Sequence, residues 1–178
     1  MAQRLDYTKL SATAFKKFFE FSNTLTDTSL DPSLKDLVFL RVSQMNGCAF
    51  CVDMHVKEAK IHGERELRLH HVAIWRESNL FTDKERAALE WAETLTKLPE
   101  HGVSDELYGR VRDILSEKEI ADLSFVVVAI NGWNRLSVGF RAVPGSLDAI
   151  YGLDKAGLNW IWKEIRTGGL STDEDRLQ

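Results

Sequence analysis

The sequence predicts an all-α, single-domain protein. Three observations carry that prediction. Apolar residues recur at helical spacing along most of the chain, strand-like alternation is scarce, and helix-capping signals divide the chain into segments of helical length. Ser11–Thr26 carries Phe15, Phe18, Phe19 and Leu25 as a helical stripe. Asp31-Pro32 reads as an N-cap followed by proline at the first helical position. The helix it opens runs to about Met45, with Leu34, Leu37, Val38 and Val42 inward, and Asn46-Gly47 breaks it. A new helix starts at about Cys48 and ends near His62-Gly63, and another covers about Glu64–Glu77. Thr82-Asp83-Lys84-Glu85 is a capping box opening a helix that stops before Pro99. Ser104–Leu115 is a short amphipathic helix. A second capping box, Ser116-Glu117-Lys118-Glu119, opens a long helix through Arg141. Pro144-Gly145 is a turn, a last helix is expected over about Ala149–Ile165, and the polar tail from Thr167 is expected to be mobile. The helical domain is thus residues 1–166 and the tail 167–178.

At 178 residues the chain has room for one core and little more. A net charge of −4 and a pI of about 5.8 argue against a nucleic-acid partner, whose footprint is a basic patch. The longest uncharged apolar run, near Leu123–Ile130, is far short of a membrane span. No export signal is seen at the N-terminus, so a cytoplasmic location is expected. Thiols are kept reduced there, so a cysteine pair is more often catalytic, redox-active or metal-binding than a structural staple.

The chain's two cysteines fall in Cys48-Ala49-Phe50-Cys51-Val52-Asp53-Met54-His55. Residues three and four apart are neighbours on a helix, so both thiols and the imidazole can meet. Placed at a helix start, the thiols face unpaired N–H groups that favour thiolate. His55 lies one turn beyond Cys51. Asp36 is twelve residues before Cys48, and antiparallel packing of the two helices would let it reach His55 and hold the ring, giving a carboxylate–imidazole–thiolate relay. Competing readings are a zinc site, which lacks a fourth ligand and a second Cys-x-x-Cys, and two buried core cysteines. Covalent haem is excluded, because Val52 stands where that motif needs histidine. The redox dithiol is the favoured reading.

The segment from Asp36 to His55, with Arg41-Val42-Ser43 leading into Asn46-Gly47-Cys48-x-x-Cys51-x-x-x-His55, resembles the core motif of the AhpD-like alkylhydroperoxidases of the carboxymuconolactone decarboxylase superfamily. The match covers about Pro32–Gly63. The superfamily's decarboxylase branch lacks this cysteine pair. The resemblance implies an AhpD-like helical bundle assembled as a homotrimer or homohexamer, and a peroxidase reducing organic hydroperoxides. It implies Cys51 as the attacking thiolate, Cys48 as the resolving thiol, His55 as proton relay and Asp36 in the place of the family's acidic residue, usually Glu. Asp36 is one methylene shorter than Glu, and Phe50 stands where the best-studied peroxidases have His. The implied reductant is an external dithiol, such as a lipoyl group or a thioredoxin-like protein, and neither an organic cofactor nor a metal is required. Alternatives of the same fold are a thiol redox sensor or switch and a lactone decarboxylase or isomerase.

Leu40–Cys48 also echoes Phe125–Trp133, each an apolar helix leading to Asn-Gly. The remaining polar features read as structural. His70 and His71 are ordinary helix residues, and His62 and His101 are helix-end residues beside glycines. Trp133 packs in the core and Arg135 pairs with a carboxylate. One of Trp160 and Trp162 marks a subunit contact. Lys57–Lys60 and Glu64–Arg68 are solvated faces.

Overall fold

A computed structural model describes residues 2–158. These residues form a single domain of helices, and no strand occurs among them. The order is α1 (Tyr7–Leu10), α2 (Ala12–Thr24), α3 (Pro32–Met45), α4 (Ala49–Ile61), α5 (Glu66–His71), a 3-10 helix (Val72–Glu77), α6 (Asp83–Thr96), α7 (Asp105–Arg112), α8 (Glu117–Phe140), α9 (Asp148–Tyr151) and a second 3-10 turn (Leu153–Ala156).

The caps behave as read. The Asp31 carboxylate accepts from the Ser33 N–H with proline in the first turn of α3. Thr82 and Ser116 each close a full capping box, on α6 and α8. Other boundaries differ. Glu64–Glu77 is not one helix: α5 gives way to a 3-10 stretch kinked at Ile74. Past Pro144 the expected long helix is the single turn of α9, stopped by Gly152 in the left-handed region, where only glycine sits without strain. The rest of that expected helix, Trp160, Trp162 and the tail lie outside the described residues.

Helix α3 runs through the middle of the fold. Leu34, Val38 and Val42 pack with Trp91, Val111, Leu123 and Val127 from α6, α7 and α8. Leu37 and Leu40 pack the other way, with Ala59, Leu69, Val72 and Leu89. Burial on both faces is why α3 is apolar around most of its circumference. It also fixes the rotation and height of α3 against α4. On the far side α2 lies across α8, with Phe18 against Trp133 (ring centroids 4.5 Å apart) and the Trp133 indole N–H donating to Ser22 Oγ. Gly132 permits that approach: a Cβ there would lie 2.5 Å from Phe18 Cζ.

Of the two expected solvated faces, Glu64–Arg68 is exposed at Arg65, Glu66 and Leu67 with Arg68 partly covered, whereas Lys57–Lys60 turns its first lysine inward. Lys57 is 1% exposed, and its ammonium bridges Asp53 (2.8 Å) and Asp148 (2.7 Å), tying α4 to α9. Burial pushes that ammonium down, but the bonds to Asp148 and Asp53 outweigh it and hold its pKa above the usual lysine value. Arg68 is clamped by Glu64 and Glu85. Both are charges made tolerable indoors by pairing. Among the described residues Arg135 pairs with no carboxylate; it donates to the carbonyl and side chain of Asn131.

Candidate active site

The break at Asn46-Gly47 makes the site. Gly47 takes φ +64°, and a Cβ there would meet nothing within 4 Å, so backbone conformation alone sets the requirement. The chain reverses and Cys48 becomes the N-cap of α4, its sulfur accepting the Cys51 N–H at 3.2 Å. Cys48 and Cys51 are joined as a disulfide, with Cα atoms 5.3 Å apart. Cys48 is 1% and Cys51 3% exposed, so the protein screens the pair from bulk solvent.

The corner is braced from α8. Asn46 donates to both Asn131 (3.0 Å) and Asn134 (2.9 Å), and Asn134 donates to Ser43 Oγ (3.1 Å). Asn131 in turn reaches Thr96. Asn134 is fully buried, and this network satisfies its amide at both ends. The echo in the sequence therefore has a spatial counterpart: Asn46 and Asn131, the equivalent residues, are bonded to each other.

Helices α3 and α4 are joined at this corner and packed along their length, so a residue's distance from Gly47 sets its height on each helix. Phe39 and His55 are each eight residues away, and their rings stack with centroids 5.0 Å apart. Asp36 is eleven away, about 4.5 Å further along the axis. It bonds His62 at 2.7 Å and not His55. Burial raises the Asp36 pKa above its usual value, and the His62 bond only partly offsets that. The His55 ring is held by Glu58, Nδ1 to Oε2 at 2.7 Å. The expected relay from Asp36 to His55 is thus replaced by two carboxylate–imidazole pairs.

From the sequence Glu58 is left unassigned and His62 is given only its helix-end place, which it holds as the C-cap of α4; each carries a further signal. Glu58 is at i+3 from His55 on the same helix, where side chains meet. His62 ends α4, opposite the start of α3. Among the described residues no group of three or more His, Cys, Asp and Glu is placed to hold a metal ion, and no helix is long and apolar enough to cross a membrane.

A helical domain that seats a Cys-x-x-Cys pair at a helix start, with an anchored histidine one turn on, defines a class of helical thiol proteins. Comparison supplies the family. Residues 12–94 match the model of the Carboxymuconolactone decarboxylase family. The uncharacterized protein YdfG of Bacillus subtilis (strain 168) is 38% identical over 138 residues, which are 78% of this chain and 94% of YdfG. The crystal structure of ATU0492 from Agrobacterium tumefaciens superposes with a TM-score of 0.77 at 40% identity, covering 80% of this chain and 98% of that one. ATU0492 is a protein of unknown function for which an AhpD-type role in antioxidant defence has been suggested. A peroxidase-related AhpD-core protein from Ralstonia eutropha JMP134 shares the fold at 20% identity, with a TM-score of 0.70 over 78% of this chain and 74% of its own. The chain belongs to the AhpD-like carboxymuconolactone decarboxylase superfamily.

Proposed function

We propose that the protein is a thiol-dependent peroxidase that reduces organic hydroperoxides. The observation that carries this reading is the bonded Cys48–Cys51 pair at the start of α4, with His55 one turn on and fixed between Glu58 and Phe39. The antioxidant role suggested for ATU0492 points the same way.

In the reduced protein the N–H groups at the start of α4 favour thiolate. Cys51 thiolate attacks the terminal peroxide oxygen. The O–O bond breaks, Cys51 becomes a sulfenic acid, and the alkoxide leaves as alcohol with a proton from His55. Cys48 then attacks the Cys51 sulfur, forming the disulfide and releasing water. An external dithiol, lipoyl or thioredoxin-like, restores both thiols. Glu58 acts as a positioning residue, holding Nδ1 so that the other ring nitrogen can serve the sulfur. The enzyme would work in the cytoplasm as a homotrimer or homohexamer.

Free thiols titrated before and after one equivalent of organic hydroperoxide test this. The wild type is expected to lose two thiols. Cys51→Ser is expected to lose none, and Cys48→Ser to stop at a sulfenic acid. Glu58→Gln should narrow or shift the pH profile of thiol loss, where Asp36→Asn should leave it in place. Thiols that survive peroxide would sink the peroxidase reading and turn attention to a redox switch.

A further inference from the structure

A cavity of about 310 Å³ opens between the α3–α4 corner and the end of α8. Its lining is largely apolar, with Phe50, Val138, Val143 and Pro144, and it carries one cation, Arg141. Of the two cysteines it is Cys48 that borders this cavity; Cys51 does not. Arg141 caps α8 at φ +56°, and among the described residues it is the non-glycine residue with positive φ. A side chain held where glycine would sit freely points to a role for that side chain. Arg141 is exposed, and among the described residues no carboxylate pairs with its guanidinium.

We propose that this cavity admits the reductant, and that it takes an aliphatic thiol or dithiol bearing a carboxylate. The chain packs on Phe50, Val138 and Val143, the carboxylate meets Arg141, and the sulfur meets Cys48. The inference rests on the Cys48–Cys51 pair being a redox couple, and it holds whatever oxidant forms the disulfide.

The exchange proceeds in two steps. The incoming thiolate attacks Cys48 Sγ, a new S–S bond forms, the Cys48–Cys51 bond breaks, and Cys51 leaves as thiolate beside His55. A second thiolate, from the same dithiol or another molecule, then attacks the reductant's own sulfur in the mixed disulfide. Cys48 leaves as thiolate, its sulfur placed to accept the Cys51 N–H as it does at 3.2 Å. Two electrons pass from the reductant to the pair, the reductant ends as a disulfide, and its two protons go to the two cysteines. Peroxide attack at Cys51 and reductant attack at Cys48 would then use different sulfurs.

The oxidised full-length protein is mixed with mercaptohexanoate or its neutral amide, quenched with iodoacetamide and mapped by mass spectrometry. The expected result is an adduct on Cys48 with the alkylating label on Cys51. The acid should react about three- to fivefold faster than the amide, the scale of one partly exposed ion pair. Arg141→Gln should erase that preference and Arg141→Lys retain most of it. The uncharged β-mercaptoethanol should reduce all three proteins at one rate, which shows that the variants are folded. An adduct on Cys51, or an acid preference that is absent or survives Arg141→Gln, overturns the proposal. Because no peroxide is used, Cys48 labelling with acid preference alongside thiols inert to hydroperoxide would reject the peroxidase reading and leave this one standing.

Discussion

The same dipeptide, Asn-Gly, closes α3 and sits undisturbed inside α8. At Asn46-Gly47 the chain takes a positive φ, turns and starts a new helix capped by Cys48. At Asn131-Gly132 the helix continues to Phe140. The difference lies in what surrounds each glycine. Gly47 faces open space, so its use is its backbone freedom, whereas Gly132 is pressed against Phe18, so its use is its missing side chain. The asparagines of the two segments are bonded to each other. One segment is a cysteine-bearing corner and the other a straight strut that braces it.

The comparison is broken most severely at the residue joining the two regions. Asn134→Ala removes both hydrogen bonds of a fully buried amide and strands Ser43 Oγ, so a loss of about 2–3 kcal/mol in urea unfolding is expected. Next comes the strut: Gly132→Val should cost about 2 kcal/mol by overpacking, and Phe18→Ala in the same chain should recover part of it, as a double-mutant cycle would show. At the corner Gly47→Ala should cost only about 1 kcal/mol, because nothing but the left-handed φ opposes it, and Gly47→Asn should cost less. A cost at Gly47 exceeding that at Gly132 would reverse the assignment of freedom to one glycine and space to the other.

The smallest effect is expected at Asp36. Its pKa is raised above the usual 3.8 by burial, so the folded state favours its protonated form. Its contribution to stability is present in full below that ordinary value and is lost as pH rises through the raised folded value. Asp36→Asn should therefore flatten stability between acid and neutral pH and leave the neutral protein no less stable than the wild type. A clear loss at neutral pH would mean that the ionised Asp36–His62 pair holds α3 to α4.

Most of the fold was legible because its signals are local. The caps at Asp31, Thr82 and Ser116 and the break at Gly47 each depend on a few adjacent residues and on orphan N–H groups that any helix start exposes. The kink at Ile74 and the single turn of α9 were not legible, since a helical pattern in those stretches yields to packing and to Gly152. Lys57 misled for the same reason: a lysine among charges looks solvated until a distant aspartate, Asp148, is brought over it.

The sequence by itself determined that two thiols and an imidazole share one face of a helix, because i+3 and i+4 spacing and an N-cap follow from helix geometry. Only the tertiary structure decided which carboxylate serves which histidine. That choice depends on the height and rotation of α3 against α4, set by Leu37 and Leu40 packing across to Ala59 and Leu69. Three residues of offset along the axis place Phe39 rather than Asp36 over His55, leave Asp36 to His62, and give His55 to Glu58 on its own helix.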